Sequence, residues 1–171
     1  MLVRYLDWLG SALRGDLGTS LFSSDSVVNI LSNRLPVTLS LTLITMLIVV
    51  IVGLPTGVFA AMRANSLIDR ALTAASSVAM AVPPFILGLI LVILFAILSP
   101  VLPATGYTPV GEGLGSWLQH LILPAIAIAA ISGAELARQT RAAMVDTLGK
   151  DFIRTRAPRA YSQKRLSDNT R

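Results

Sequence analysis

The residues to weigh first are those that could hold a phosphate, bind a metal or move a proton. A P-loop needs a glycine, four residues, then Gly-Lys-Ser or Gly-Lys-Thr, because backbone N–H groups cradle the phosphates and the hydroxyl holds magnesium. Gly149-Lys150 comes nearest, but Asp151 follows it and Met144 stands where the first glycine belongs. Gly111, Gly113 and Gly115 lack the strand before and the helix after that a dinucleotide fingerprint requires, and read as a flexible loop. The chain has no cysteine, which excludes disulfides, thiolate chemistry and cysteine metal sites, and its single histidine, His120, leaves an imidazole metal site without a second ligand. A serine hydrolase would pair Ser132 with His120, yet twelve positions on one helix separate them by about 18 Å, too far for proton transfer. His120 is expected to be a polar anchor, and Glu135 to pair with Arg138 one turn on rather than face a pore. No catalytic residue, cofactor or metal is expected.

What must position such residues is unusual in composition. Of the 171 residues 54% are hydrophobic and only 13% charged, about half the charged share usual in soluble domains. Residues 35–134 hold four charges, Arg63, Asp69, Arg70 and Glu112. The other charges lie in the flanks, which reads as an all-α polytopic membrane protein with polar ends. Fourteen Lys and Arg against nine Asp and Glu would also suit a nucleic-acid binder, but nine of the fourteen follow the last apolar run, with only Phe152 and Tyr161 among them and no recognition fold behind. No nucleic-acid partner is expected; lipid is.

Three spans are expected: about 35–62, about 77–99 with a kink or break at Pro83-Pro84, and about 117–134, the shortest and weakest. If the N-terminus is outside, the inner segments carry eleven Lys and Arg and the outer ones three, Arg4, Arg14 and Arg34, a strong positive-inside signal for N-out and C-in. The organisation is then an outer amphipathic segment, 1–34, a transmembrane core, 35–134, and an inner tail, 135–171. Leu2, Leu6, Leu9 and Leu13 make the stripe of an amphipathic helix that Gly15 could end, residues 15–20 read as a turn, and Asp25 or Ser26 could cap a helix running into the first span. Gly53 and Gly57, around Pro55, allow either close helix packing or a flexing element.

The residues also resemble a known family. Val52-Gly53-Leu54-Pro55-Thr56-Gly57, Ala60-Ala61 and Leu67-Ile68-Asp69-Arg70 are similar to the second-span region of the inner-membrane permease subunits of bacterial ABC importers for oligopeptides, dipeptides and nickel. The resemblance continues in Gly15-Asp16-Leu17-Gly18-Thr19-Ser20, Arg34-Leu35-Pro36-Val37-Thr38, Val82-Pro83-Pro84-Phe85, Leu102-Pro103-Ala104-Thr105-Gly106-Tyr107, His120-Leu121-Ile122-Leu123-Pro124-Ala125 and Ala137-Arg138-Gln139-Thr140-Arg141. Its most specific stretch is Leu148-Gly149-Lys150-Asp151-Phe152-Ile153-Arg154-Thr155.

The resemblance implies a type I importer fold, here partial, and a subunit that forms half of a translocation pore with a second permease. Two cytoplasmic ATP-binding subunits and a periplasmic solute-binding protein would complete the machine in the inner membrane, and ATP hydrolysis would belong to the partners. It also implies that residues 141–155 carry an ATPase-coupling helix, with Leu148, Gly149, Asp151, Phe152, Arg154 and Thr155 as its docking residues. Past Thr155 the chain departs from the family: Pro158 interrupts a helical pattern, and Ala160 stands where the family has glycine. One span upstream and two downstream are expected beyond this chain, which therefore reads as a permease truncated at both ends. The alternatives are a non-transporting remnant or small scaffold, a permease for nickel or another solute, and an intramembrane enzyme dependent on His120 or Ser132.

Overall fold

The computed structural model describes the backbone of residues 1–168 and the side chains of residues 1–148. Among the described residues the regular structure is helical: α1 (Leu2–Leu13), α2 (Val27–Ile48), α3 (Leu54–Met62), α4 (Leu67–Ala81), α5 (Pro84–Val92) and α6 (Leu114–Asp168). A π-helical stretch, Val49–Gly53, joins α2 to α3, so that Val27–Met62 is one rod of 36 residues. That rod and Leu114–Leu148, of 35 residues, are each long and apolar enough to cross a membrane.

Proline shapes the rod, and threonine hydroxyls bond back to helix carbonyls beside each proline. Pro55 has no N–H and its ring crowds the carbonyl four residues back, so the turn before it widens into the π stretch. Thr56 Oγ1 then donates to the Val52 carbonyl at 2.7 Å. Thr38 Oγ1 does the same for Arg34 beside Pro36, at 3.2 Å. These are not the carbonyls that the prolines leave without an N–H, which lie four residues before each proline, at Ile51 and Ser32; each threonine instead adds a second bond to a carbonyl of its own helix near the proline.

The expected second span is broken rather than kinked. Val82 and Pro83 each precede a proline and both are extended, with ψ of 120° and 141°. Two non-helical residues in succession turn the chain by 96° between α4 and the α5 rod, which ends at Leu98 through a second π-helical stretch, Ile93–Leu98. Each piece is 15 residues long, about 22 Å at 1.5 Å per residue and short of the roughly 30 Å hydrocarbon core. The two make a third crossing only if taken together.

The expected third span lies within a longer helix. Its helix starts at Leu114 and passes through Gly133 without stopping, so the boundary near residue 134 is a change of composition, not a helix end. It is also the centre of the bundle: α2, α3, α4 and α5 all pack on α6. Leu121, Ala125, Ala129 and Gly133 form one buried row at i, i+4 spacing, while Leu123, Ala127 and Ala134 are buried on the opposite face. A helix with neighbours on both sides needs small residues, and alanine and glycine are what lowered its apparent apolarity.

At the other end of the bundle the loop from Ser99 to Gly113 is tied down by its own motif. Tyr107 OH and Ser40 Oγ share a hydrogen bond of 3.2 Å, and Trp117 Nε1 donates to the same Ser40 Oγ at 3.2 Å. Gly106, at φ +107°, brings the backbone against His120, where a Cβ would sit 3.3 Å from the ring. His120 Nδ1 lies 2.8 Å from the Ser116 carbonyl, which only accepts, so Nδ1 carries the proton; Thr108 Oγ1 lies 3.2 Å from the same nitrogen. Ser40→Ala is expected to cost about 1–3 kcal/mol, because it leaves the buried Trp117 N–H unpaired, whereas Tyr107→Phe is expected to cost about 1 kcal/mol. Thermal unfolding of the two variants checks the order.

Helix α1 forms as its leucine stripe predicts and ends where Gly15 adopts φ +88°. Asp16 Oδ1 accepts the Gly18 N–H at 2.9 Å in the following turn, and Ser26 caps α2 by position. Among the described residues α1 packs on no other element.

Candidate functional site

The densest meeting of helices is at the end of the bundle that carries Arg63, Arg70, Arg138 and Arg141. Here α3 crosses α6 at the glycine pair. A Cβ on Gly57 would stand 2.5 Å from the Ala137 carbonyl oxygen and 2.6 Å from Thr140 Cβ; one on Gly53 would stand 2.9 Å from the Gly133 carbonyl oxygen. Gly53 and Gly57 therefore serve close packing, with Ala60 and Ala61 buried one turn further along the same helix.

Helix α4 is fastened to the same place. Ser66 is its N-cap and accepts the Asp69 N–H at 3.2 Å, the first half of a capping box. Asp69 Oδ2 reaches back to accept the Asn65 N–H at 2.9 Å, where Asn65 turns the chain at φ +65°. The same carboxylate is nearly inaccessible, at 3% exposure, and meets Arg141 of α6 side-on: Nε to Oδ1 at 2.5 Å and one terminal guanidinium nitrogen to Oδ2 at 2.6 Å. Such a bidentate fork fixes orientation as well as distance. One side chain thus joins a helix start, a turn and a helix 72 positions away.

Sequence reading placed Asp69 and Arg141 in two separate motifs and gave neither a role. The signal was present: Asp69 is one of only four charges in a hundred residues, and an acid so placed needs a partner. Glu135 pairs with Arg138 as expected, at 2.7 Å, and accepts from Gln139 Nε2 at 2.7 Å. His120 and Ser132 are held apart: the ring is bound into the loop described above, and Ser132 lines a groove against α2. Among the described residues no three His, Cys, Asp or Glu gather in a metal-binding group.

Of the coupling residues expected from the resemblance, Leu148 is exposed. The backbone of α6 continues as helix through Gly149, Asp151, Phe152, Arg154 and Thr155, whose side chains lie outside the described residues. The junction holds α3 and α4 to α6, the helix that continues into the tail.

Residues 53–165 match the family described as "Binding-protein-dependent transport system inner membrane component". The chain is 40% identical over 160 residues to a probable peptide ABC transporter permease protein, y4tP, of Sinorhizobium fredii, covering 94% of this chain and 51% of that one. It is 35% identical over 167 residues to the oligopeptide transport system permease protein AppB of Bacillus subtilis, covering 96% and 53%. It is 35% identical over 183 residues to the di/tripeptide transport system permease protein DppB of Pseudomonas aeruginosa, covering 95% and 54%. The chain spans about half the length of the curated relatives it matches.

Proposed function

The chain belongs to the family of binding-protein-dependent transport system inner membrane components, and from that membership we propose that it is a permease subunit of an ABC importer for peptides. The observation that carries the reading is the extent of the match: residues 53–165 take in the glycine crossing, the Asp69–Arg141 pair and the whole of the tail segment 148–155. The named relatives are permeases for peptides, oligopeptides or di- and tripeptides, which favours peptides over nickel as the solute.

In this reading a second permease completes the pore, two cytoplasmic ATP-binding subunits drive it, and a periplasmic solute-binding protein delivers the solute. The outer segment is 1–34, the core 35–134 and the cytoplasmic tail 135–171, with the N-terminus out and the C-terminus in, as the eleven to three split of Lys and Arg favours. Leu148, Gly149, Asp151, Phe152, Arg154 and Thr155 dock the tail on an ATP-binding subunit. Phe152 supplies an apolar anchor and Arg154 a charge for that contact. Movement of the docked tail reaches the spans through α6, because the same helix that carries the tail also carries Arg141 and the glycine contact.

Co-purification tests the docking. With the chain tagged and co-expressed with the companion subunits, Phe152→Ala together with Arg154→Ala is expected to lower retention of the ATP-binding subunits about tenfold or more, the scale of an interface hot spot. Retention equal to that of the parent chain would overturn this role for the tail.

A further inference from the structure

The chain ahead of the rod Val27–Met62 turns two apolar features away from the rest of the molecule. The first is α1. At about 100° per residue its leucines, Leu2, Leu6, Leu9 and Leu13, fall within an arc of about 60°, and Arg4, Asp7 and Ser11 fall within a similar arc on the opposite side. Tyr5 and Trp8 lie between the two faces on one flank, their ring centroids 6.1 Å apart. Leu2, Leu6 and Leu13 are exposed, and α1 packs on no other element among the described residues.

The second is the loop between α1 and the rod. Main-chain bonds close its base: the Ser20 N–H donates to the Asp25 carbonyl at 2.9 Å and the Val27 N–H to the Gly18 carbonyl at 3.0 Å. At its tip Ser20 Oγ accepts the Phe22 N–H at 3.2 Å and the Ser23 N–H at 3.3 Å. Leu21 and Phe22 sit on this turn at 96% exposure or more. A turn bonded at base and tip holds the two side chains outward rather than letting them fold back on the chain.

Three observations point to lipid as the cover. The loop is bonded to Val27, the first residue of a rod long and apolar enough to cross a membrane. Only two turns of helix, about 10 Å, separate Val27 from the uncharged run that begins at Leu35, so both features lie beside the surface where the rod enters lipid. Tyrosine and tryptophan at the border of an apolar and a polar face match the headgroup level, where one part of each ring is dry and the other wet. Residues 1–26 carry Arg4 and Arg14 against Asp7, Asp16 and Asp25, so attraction to a charged partner is weak and apolar area must supply the contact.

We propose that α1 lies flat in the membrane interface with its leucine face against the acyl chains, and that Leu21 and Phe22 enter the same leaflet as a second anchor. Together the two anchors set the depth at which the rod starts. The proposal requires that the chain cross a membrane and is independent of what it transports.

The chain has no cysteine, so one nitroxide at a time can be attached to an introduced cysteine. Leu6→Cys, Leu13→Cys and Phe22→Cys are labelled beside Asp7→Cys and Ser11→Cys in the full chain, in phosphatidylcholine vesicles with and without a companion permease. Collision with oxygen, which concentrates in lipid, is compared with collision with a neutral nickel chelate, which stays in water. The labels at positions 6, 13 and 22 are expected to favour oxygen severalfold more than those at 7 and 11, in vesicles of either kind. Preference for the nickel chelate at all five positions would overturn the proposal and leave the segment in water. Shielding of positions 6, 13 and 22 from both reagents would overturn it as well, and mark a protein cover. Oxygen preference at 6 and 13 with nickel preference at 22 would overturn the loop anchor.

Discussion

Gly57→Ala is expected to separate α3 from α6 and destabilise the bundle by about 3 kcal/mol, the upper end of the usual cost of overpacking. Alanine is the better helix former by about 1 kcal/mol, so the sign depends on which effect wins. At Gly57 the new methyl would meet a backbone oxygen at 2.5 Å and the branch point of Thr140 at 2.6 Å, neither of which can swing aside. At Gly88 the nearest atom is Ala127 Cβ at 3.6 Å, an ordinary contact, and at Gly10 nothing lies within 4 Å. The same substitution at those two helical glycines is expected to be neutral or mildly stabilising. Thermal unfolding in detergent, on all three variants, reads the difference directly, and a Gly57→Ala chain as stable as the parent would mean that the helices do not cross this closely.

Asp69→Ala is expected to reduce peptide uptake about tenfold, within the usual range of coupling between distant sites. Its carboxylate serves two helices at once, accepting the Asn65 N–H at the start of α4 and the Arg141 fork from α6. Removing it loosens α4 and strands a guanidinium at the same moment. Exchanging the charges, Asp69→Arg with Arg141→Asp, is expected not to restore function, because an arginine cannot accept the Asn65 N–H. Arg141→Lys is expected to be intermediate: it keeps the charge and loses the fork. Uptake combined with a double-mutant cycle on thermal stability separates these cases. Full recovery in the exchanged pair would reduce the junction to simple charge neutralisation.

How much of this was legible in the sequence depended on the range of the interaction. The leucine stripe of α1, the break at Pro83-Pro84 and the Glu135–Arg138 pair are set by neighbours within a turn or two, and they were readable. The Asp69–Arg141 pair was not, because 72 positions separate its members and no local pattern links them. The central place of α6 was hidden for a different reason. Hydropathy counts apolar side chains, whereas a helix packed on two faces is built from alanine and glycine, so the most buried helix read as the weakest span. Gly133 is a packing position beneath Val49, whose Cα lies 4.0 Å from where its Cβ would be. The motifs Leu102–Tyr107 and His120–Ala125, noticed separately, prove to be two sides of one contact through Gly106 and His120.

Uptake decides between a working subunit and a membrane-inserted remnant. Membrane vesicles containing this chain, a companion permease and the two ATP-binding subunits are supplied with ATP, solute-binding protein and labelled trialanine, beside vesicles that lack only this chain. ATP-dependent accumulation above the control is expected, with Asp69→Ala at about a tenth of the parent level. Equal accumulation with and without the chain, while it sits in the membrane and holds the ATP-binding subunits, would contradict its role in translocation.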